Sequence, residues 1–206
     1  MRRFLMMVIV AGMFCGSVSY AQPVNIPDPV LKAAIEAKLG VTDPSATDML
    51  GLTTLTASSQ GISDLTGLEY GTGLTDLNLF DNQISDITAL SGLTNLTDLA
   101  LGGTQISDIS MLSGLTNLTS LSLYDTQISD ISVLSGLTNL TDLSFSYTQI
   151  SDISVLSGLT NLRYLSLVGT QISDISVSIN CEPGTVNPEP LWRNGSCRQC
   201  IKNVCF

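Results

Sequence analysis

The sequence predicts an α/β solenoid, a rod of stacked repeat units with a parallel sheet along one side. The string Gln-Ile-Ser-Asp-Ile recurs at a constant step of 22 residues, and self-similarity at such a step is typical of stacked repeats. Within each unit a trio such as Leu77-Asn78-Leu79 alternates in polarity, as a strand with one buried face does. Apolar residues then recur at three-residue steps, which suit a tight 3₁₀-like return path. The five copies of the string begin at Gln83, Gln105, Gln127, Gln149 and Gln171.

Six strands are expected, one in each unit, and they should pair in register as a parallel sheet with a spacing of about 4.8 Å. The return path of the unit that spans 74–95 carries Ile87, Leu90 and Leu93. Because the strand and the return path both direct apolar side chains inward, the units share one long, narrow core that no single unit can bury alone. The strand trios begin at Leu55, Leu77, Leu99, Leu121, Leu143 and Leu165.

The first 21 residues have the features of a secretory signal peptide. A positively charged start precedes an apolar run over 4–14, and small residues at 19 and 21 form a cleavage motif. We expect cleavage after this segment and a secreted or extracytoplasmic protein, in the periplasm or at the cell surface. An uncleaved membrane anchor is the first alternative, but the run is short for a span of about 20 residues. Lipidation at Cys15 is the second, but Phe14 is bulky where such signals carry a small residue.

Residues 22–51 are expected to form a helical N-terminal cap, since the terminal units of a solenoid would otherwise expose their apolar core to solvent. The Asp-Pro pair at 28–29 predicts a helix start, with an N-cap residue followed by proline at the first helical position. Gly40 predicts the end of that helix. A second Asp-Pro pair at 43–44 predicts a shorter helix that ends around Leu50.

Residues 181–206 are expected to form a cysteine-rich C-terminal cap or tail. The repeat stops after residue 179, and an even number of cysteines in an exported chain favours two disulfides. Three pairings are possible. A zinc site made of four thiolates and a set of free thiols are the alternatives, although the segment holds a single Cys-x-x-Cys. The candidate cysteines are Cys181, Cys197, Cys200 and Cys205.

Composition and charge exclude several function classes. The chain has 206 residues, 44% of them apolar and 13% charged, and its 8 basic and 18 acidic residues give a formal charge of −10. Loss of Arg2 and Arg3 with the signal peptide would change that charge to −12. An acidic chain without a basic run disfavours nucleic acids and anionic membranes as partners. With no histidine and no glycine-rich phosphate loop, we expect no enzymatic activity, no catalytic residue and no cofactor.

The pattern Leu-x-x-Leu-x-Leu-x-x-Asn-x-Ile resembles the leucine-rich repeat. Its 22-residue length and the string Asn-Gln-Ile-Ser-Asp-Ile are similar to the internalin-type repeats of secreted bacterial proteins. The resemblance covers about 52–179 and implies a right-handed leucine-rich repeat solenoid, with about six units over 52–180. It also implies a curved parallel sheet on the concave side, a 3₁₀-like or irregular convex side, and mostly protein partners.

The chain departs from the family pattern at the asparagine of Leu-x-x-Leu-x-Leu-x-x-Asn-x-Ile. Only the unit with Asn82 has asparagine there. A threonine hydroxyl can also satisfy a backbone group in a turn, so only a modest local change is expected. The replacements are Thr104, Thr126, Thr148 and Thr170.

The outward strand positions are candidates for partner binding, because they can vary without disturbing the core. We predict a concave-face patch of four aromatic residues flanked by acidic ones, since Tyr and Phe are enriched in interface cores. Scattered aromatics that pack on neighbouring units are the alternative. An acidic patch would prefer a neutral or basic partner. The predicted residues are Asp76, Asn78, Phe80, Asp98, Tyr124, Asp125, Asp142, Tyr147 and Tyr164.

A column of six aspartates recurs at the start of the return paths. Each follows a serine, and a Ser-Asp pair is suited to capping the free backbone N–H groups of a turn. Calcium is the alternative, but it takes six to eight oxygens around one ion and a single file offers few, so we expect no metal site. The column consists of Asp64, Asp86, Asp108, Asp130, Asp152 and Asp174.

The sequence therefore favours a secreted recognition module that binds a protein through its concave face. The alternative is a structural or adhesive cell-envelope component that binds glycans or self-associates. We expect no nucleic-acid partner and no membrane span after signal cleavage. A protein receptor should depend on a few unlike side chains, whereas a repetitive ligand should tolerate the loss of any one row.

Overall fold

The computed structural model describes residues 21–172 and two short strands close to the C-terminus. Six three-residue strands lie side by side in chain order, and each pairs in parallel with the next. The predicted α/β solenoid with a parallel sheet is confirmed. The strands are β1 Thr54–Thr56, β2 Asp76–Asn78, β3 Asp98–Ala100, β4 Ser120–Ser122, β5 Asp142–Ser144 and β6 Tyr164–Ser166.

The register of the sheet follows the period of the sequence. Leu77 lies opposite Leu55 on one side and Leu99 on the other, and the same pairing continues to Leu165. These central leucines are buried, and the residues on either side of them are exposed or half-buried except for Ser166. A slip of one residue would turn each leucine to solvent, so the alternation fixes the register.

Within residues 21–172 the return paths contain five 3₁₀ segments, as their three-residue apolar steps predict. In the third, the amide of Leu112 donates to the carbonyl of Ile109 and the amide of Leu115 to that of Leu112, each at 2.9 Å. All three side chains point into the core. The segments are η1 Leu68–Tyr70, η2 Thr88–Leu90, η3 Ser110–Gly114, η4 Ser132–Gly136 and η5 Ser154–Gly158.

The core is one continuous stack of leucine and isoleucine files that runs the length of the coils. The files are interrupted at Ala57 and Phe145, which occupy a leucine position of their coils and are fully buried. Within the described residues, no buried side-chain nitrogen or oxygen lacks a hydrogen-bond partner. In the described residues the interior is therefore closely packed, and its buried polar side-chain atoms are hydrogen-bonded.

Each repeat unit forms one coil of the solenoid, and coil 1 is the unit that contains β1 and η1. Two helices cover coil 1: α1 Pro29–Leu39 and α2 Ala46–Met49. Helix α1 begins and ends as predicted, with the Asp28 carboxylate accepting from Val30 N and Leu31 N at 2.9 and 3.0 Å and with Gly40 at φ 70°. Helix α2 begins later than the Asp-Pro pair at 43–44 suggests. Ser45 is its N-cap, because Ser45 and Asp48 form a reciprocal capping box there.

Asp28 also ties the cap to the first coil. Its second carboxylate oxygen accepts from the amide of Ser63 at 2.9 Å, where the return path of coil 1 begins. Burial raises the pKa of Asp28, but the hydrogen bonds from the amides of Ser63, Leu31 and Val30 outweigh it and leave the pKa below its usual value. At Gly67, whose φ is 96°, an added Cβ would lie 2.7 Å from the carbonyl oxygen of Asn25. The cap segment and the coil are therefore in direct backbone contact.

The sheet continues beyond β6 through two C-terminal strands, β7 Cys200–Ile201 and β8 Val204–Cys205. Strand β8 pairs in parallel with β6, and β7 pairs with β8 in the antiparallel sense. The structure does not describe the side chains of residues 181–206, on which the predicted sulfur chemistry falls. Of the predicted signal peptide it describes residue 21 alone. Among the described helices, none is long and apolar enough to cross a membrane.

Asn82 joins the first two coils. Its side-chain Nδ2 donates to the carbonyls of Ala57 and Leu79 at 2.8 and 2.9 Å, and its Oδ1 accepts from Ile62 N at 3.0 Å and Gln60 N at 3.2 Å. The threonines at this position act locally, as expected: each hydroxyl donates to the carbonyl three residues before it, at 2.6–2.8 Å. Asparagine thus spans two coils, whereas threonine closes its own turn.

Candidate recognition surface

Comparison of the coils with one another locates the surface. The core positions repeat almost without change, whereas the outward positions on the sheet side differ from coil to coil. Two columns that follow the strands vary most. The first reads Ser58, Phe80, Gly102, Tyr124, Ser146 and Val168, and the second reads Ser59, Asp81, Gly103, Asp125, Tyr147 and Gly169.

Three of the predicted aromatic residues form one contiguous group, which we call the aromatic cluster: Phe80, Tyr124 and Tyr147. The rings of Phe80 and Tyr124 are tilted, with centroids 6.4 Å apart, and those of Tyr124 and Tyr147 meet edge to face at 5.5 Å. The three side chains are 38%, 38% and 54% exposed. The rings therefore support one another while still presenting apolar surface to solvent.

Gly102 allows Phe80 and Tyr124 to meet. These two residues belong to coils two apart, and Gly102 occupies their column in the coil between them. A Cβ at Gly102 would lie 2.9 Å from the carbonyl oxygen of Tyr124 and 3.2 Å from Cδ2 of Phe80. The missing side chain leaves the space that the two rings close.

The second variable column has left-handed backbone in every coil. Its φ values are 55° at Ser59, 56° at Asp81, 50° at Asp125 and 60° at Tyr147, and glycines at 103 and 169 adopt 68° and 71°. Glycine adopts this conformation without cost and aspartate tolerates it, but for a bulky residue it is strained. Tyr147 is thus held in a costly conformation with over half its surface exposed, and such strain is concentrated at functional sites.

Gly169 receives the ring of Tyr147. A Cβ at Gly169 would lie 2.7 Å from Cδ1 and 3.0 Å from Cε1 of Tyr147. The ring therefore leans over the backbone of the next coil while its edge meets Tyr124. Contacts on both sides fix the orientation of an otherwise exposed side chain.

The predicted acidic residues lie on the same side of the rod as the cluster, three of them in the column of the first strand position and one at the turn position. Asp76, Asp98 and Asp142 are exposed at the first strand position, where the hydroxyls of Thr97 and Thr141 donate to the carboxylates of Asp98 and Asp142 at 2.8 and 2.7 Å. Asp125 is exposed at the turn position beside Tyr124. Asn78 is half-buried, and its Oδ1 accepts from the amide of Phe80 at 3.0 Å, so it supports the cluster.

Tyr164 lies apart from the aromatic cluster. It is 44% exposed at the start of β6, opposite Asp142 in the register, whereas the cluster follows the strand ends. Four residues of extended chain separate these two columns, about 13 Å. The predicted four-residue patch is therefore a three-residue cluster and a separate tyrosine near Asp142.

Among the described residues, two open grooves run across the stacked coils, one just after the strands and one just before them. The first, which we call the turn groove, is lined on one side by Asp125, Tyr147 and the glycines at 103 and 169, and on the other by an exposed file of glutamines. These glutamines are Gln105, Gln127 and Gln149. The turn groove thus shares Tyr147 with the aromatic cluster, and it contains residues that differ between coils.

The second groove, the Asn–Thr groove, repeats nearly unchanged through four coils and ends at Arg163. Each asparagine donates to the carbonyl of a threonine in the preceding coil at 2.8–2.9 Å, and the threonine hydroxyls at 97, 119 and 141 donate to the preceding coil at 3.1 Å. These polar groups already hold the coils together. The asparagines are Asn95, Asn117, Asn139 and Asn161.

The aspartate column acts as turn caps in the five coils where it is described. Each carboxylate accepts from the amide two residues later at 2.8 Å, as in Asp108 with Ser110. Hydrogen bonds from the backbone and the hydroxyl of the following serine hold the pKa of Asp108, Asp130 and Asp152 below the usual value. Asp174 lies outside the described residues. Within that part of the chain, no group of three or more candidate ligands is placed to hold a metal ion.

The stacked strands, the 3₁₀ return paths and the outward variable columns define a repeat protein of the solenoid class. A family model described as leucine rich repeats (2 copies) matches residues 72–114, 94–137, 116–157 and 138–180. The chain therefore belongs to the leucine-rich repeat family, and its repeats are of the internalin type. Leucine-rich repeats generally mediate protein–protein recognition, and internalin-like members are typically non-enzymatic binding proteins.

Solved structures agree with this assignment. Internalin C2 of Listeria monocytogenes is 39% identical, with a TM-score of 0.74 over 80% of this chain and 76% of that one. The internalin inlF of the same organism is 33% identical with a TM-score of 0.63, and the match spans 78% of this chain and 56% of that one. A leucine-rich repeat protein of Leptospira interrogans, at 23% identity and a TM-score of 0.61, shows the fold alone. Comparison with curated protein sequences gave no match.

Sequence reasoning missed the residues that shape the surface without contributing a large side chain. Gly102 and Gly169 are placed against aromatic rings, and the exposed glutamines form one wall of the turn groove. A signal for the glycines was present, because each interrupts a column that carries side chains in other coils. The left-handed turn position was also readable from its Ser, Asp and Gly residues, with Tyr147 as the exception.

Proposed function

We propose that the protein is an exported recognition module that binds a protein partner through the concave sheet side, with the aromatic cluster at the centre of the interface. The observation that carries the proposal is the aromatic cluster itself, whose rings span four coils at positions where the repeats differ. Aromatic residues that pack together and stay exposed are typical centres of protein interfaces. The acidic surroundings favour a neutral or basic partner.

The strain at Tyr147 supports this role independently. A rod of this kind accepts glycine or aspartate at the turn position, and five of the six described coils carry Ser, Asp or Gly there. Tyrosine in the same conformation costs on the order of 1 kcal/mol. A ring held at such a cost, exposed and fixed by two neighbours, is better explained by contact with a partner than by stability.

The test is capture of partners from the protein's native surroundings with four variants of the chain. Tyr124→Ala and Tyr147→Asn remove cluster rings, and asparagine is chosen because it tolerates left-handed backbone. Tyr70→Ala is the matched control, since Tyr70 is 45% exposed but lies in the return path of coil 1. Tyr164→Ala asks whether the separate tyrosine belongs to the same surface.

We expect mass spectrometry to identify a protein that the wild type and Tyr70→Ala retain and that Tyr124→Ala and Tyr147→Asn lose by about tenfold or more, the effect of a residue at the centre of an interface. Retention of every captured protein by all variants alike would contradict the proposal. Circular dichroism on each variant checks that the solenoid is intact.

An adhesive or structural role remains the second candidate, because the Asn–Thr groove repeats through four coils and so fits a repetitive ligand such as a glycan. A ligand of that kind would tolerate Thr119→Val, which alters one row of the groove, and would also tolerate Tyr124→Ala. Binding to purified cell-envelope polysaccharide that survives both single substitutions would favour this role over recognition by the aromatic cluster.

A further inference from the structure

We propose that the turn groove receives an arginine side chain from an extended segment of the partner, with one face of its guanidinium on the ring of Tyr147 and an N–H edge toward the carboxylate of Asp125. This inference rests on the proposed function and names the chemistry of the partner at that surface. Asp125 and Tyr147 occupy the same turn position in adjacent coils. The amide of Asp125 donates to Ser146, the residue before Tyr147, at 2.8 Å.

The neighbouring coils contribute no side chain to the column on either side of this pair. Gly103 precedes Asp125 and Gly169 follows Tyr147, whose ring occupies the space over Gly169. Adjacent coils are about 4.8 Å apart, so a guanidinium that lies on the ring of Tyr147 can direct an N–H edge toward the carboxylate of the preceding coil. Edge contact with Tyr124 and backbone contact with Gly169 fix the ring of Tyr147 in advance. Such preorganisation reduces the entropy lost on binding.

The charge of the rod favours a cation at this place. Residues 21–172 contain 15 acidic side chains and three basic ones, Lys32, Lys38 and Arg163. Lys32 is paired with Glu36 and Asp43 in the N-terminal cap, and Arg163 ends the Asn–Thr groove. Asp125 therefore has no basic neighbour among the side chains that line the turn groove. A cationic partner meets complementary charge on the sheet side, where the exposed acidic residues are Asp76, Asp81, Asp98, Asp125 and Asp142.

Arginine fits the groove better than lysine does. Its guanidinium is planar, stacks on aromatic rings and donates through a rigid fork, so one face can meet Tyr147 while an edge meets Asp125. The opposite wall offers the exposed amide oxygens of Gln127 and Gln149 as acceptors for the remaining N–H groups. An ammonium group, which is compact and strongly hydrated, uses fewer of these contacts.

The test uses three end-blocked peptides titrated into the full protein at low ionic strength: tetra-arginine, tetra-lysine and tetra-citrulline, which keeps the shape of arginine without its charge. Calorimetry or NMR shift changes give the affinities. Asp125→Asn and Tyr147→Asn remove the two flanking groups. Asp108→Asn is the matched control, because it makes the same charge change on the return path and retains an oxygen to accept from Ser110.

We expect tetra-arginine to bind more tightly than tetra-lysine, and tetra-citrulline to bind least. Each of Asp125→Asn and Tyr147→Asn should weaken tetra-arginine binding about 2- to 5-fold, in line with exposed ion pairs and cation–π contacts. Asp108→Asn should leave binding unchanged. Equal weakening by Asp108→Asn would show general charge attraction and overturn the proposal, as would equal binding of arginine and lysine peptides or no binding at all.

The outcome can be separated from that of the proposed function. Failure of the peptide test together with partner capture that depends on Tyr124 would remove the arginine assignment and leave recognition by the aromatic cluster in place. If arginine binding is specific but the capture of partners does not depend on Tyr124 or Tyr147, the arginine assignment would stand and recognition by the aromatic cluster would be removed.

Discussion

Replacement of Asn82 by alanine should destabilise the protein far more than a comparable change in any threonine coil. Asn82 is 5% exposed and makes four hydrogen bonds of 3.2 Å or shorter, two as donor and two as acceptor. Three of its four partner groups belong to the preceding coil, namely the carbonyl of Ala57 and the amides of Gln60 and Ile62. Its loss therefore opens the junction between two coils.

The magnitude follows from the number of bonds. A hydrogen bond contributes about 1 kcal/mol net, so Asn82→Ala should lower the free energy of unfolding by roughly 4 kcal/mol. Thr126 makes a single bond, 2.8 Å to the carbonyl of Leu123, and Thr126→Ala should cost about 1 kcal/mol. Asn82→Thr keeps the local donor and should fall between the two.

Urea denaturation followed by far-ultraviolet circular dichroism measures the three variants against the wild type. Because a linear repeat protein can unfold from one end, amide hydrogen exchange should be measured beside urea denaturation to locate the coils that open. We expect the amide of Ile62 to exchange faster in Asn82→Ala and to stay protected in Thr126→Ala. Equal losses of stability in Asn82→Ala and Thr126→Ala would refute the claim that asparagine here links two coils.

Three further outcomes are expected. The turn caps Asp108, Asp130 and Asp152 have pKa values below the usual 3.8. The stability that they contribute should therefore be present above pH 3.8 and be lost as the pH falls through the lowered pKa values. A melting temperature that does not fall between pH 5 and pH 2.5 would contradict this. Gly102→Ala should displace the ring of Phe80 or Tyr124, detected as altered aromatic NMR shifts and weaker partner capture with the solenoid retained. Leu143→Ala should cost about 2–5 kcal/mol by leaving a cavity in a central coil, measured by urea denaturation.

The sequence was sufficient to predict the fold because one physical requirement, burial of a narrow apolar face, is repeated at every coil. Leu121 and Ile128 occupy their positions for the same reason as their equivalents in the next coil, so the register needed no long-range information. The first helix was equally local, since Asp28 and Gly40 act within one turn of its ends. The second helix was misplaced because two cap signals, the Asp-Pro pair at 43–44 and Ser45, lie side by side and only the capping box with Asp48 decides between them.

The candidate site was predicted less completely, for a physical reason. Its residues were identified as outward and unlike one another, but their mutual contacts depend on where side chains go once the coils are stacked. Tyr147 reaches both Tyr124 and Gly169 from a left-handed backbone, whereas Tyr164, on the same side of the rod, lies at the far end of its strand. Periodicity gives the column of a residue and does not give its rotamer.

The aromatic cluster belongs to the stack and not to any single repeat. Phe80 and Tyr124 meet across a coil that contributes only Gly102, and Tyr147 takes its orientation from the coils on either side. The geometry of the cluster therefore depends on the spacing of five consecutive coils, which the leucine files and the hydrogen bonds of the Asn–Thr groove hold constant. A surface built in this way keeps its shape without a partner, so the rigidity of the repeats is what prepares three exposed rings for binding.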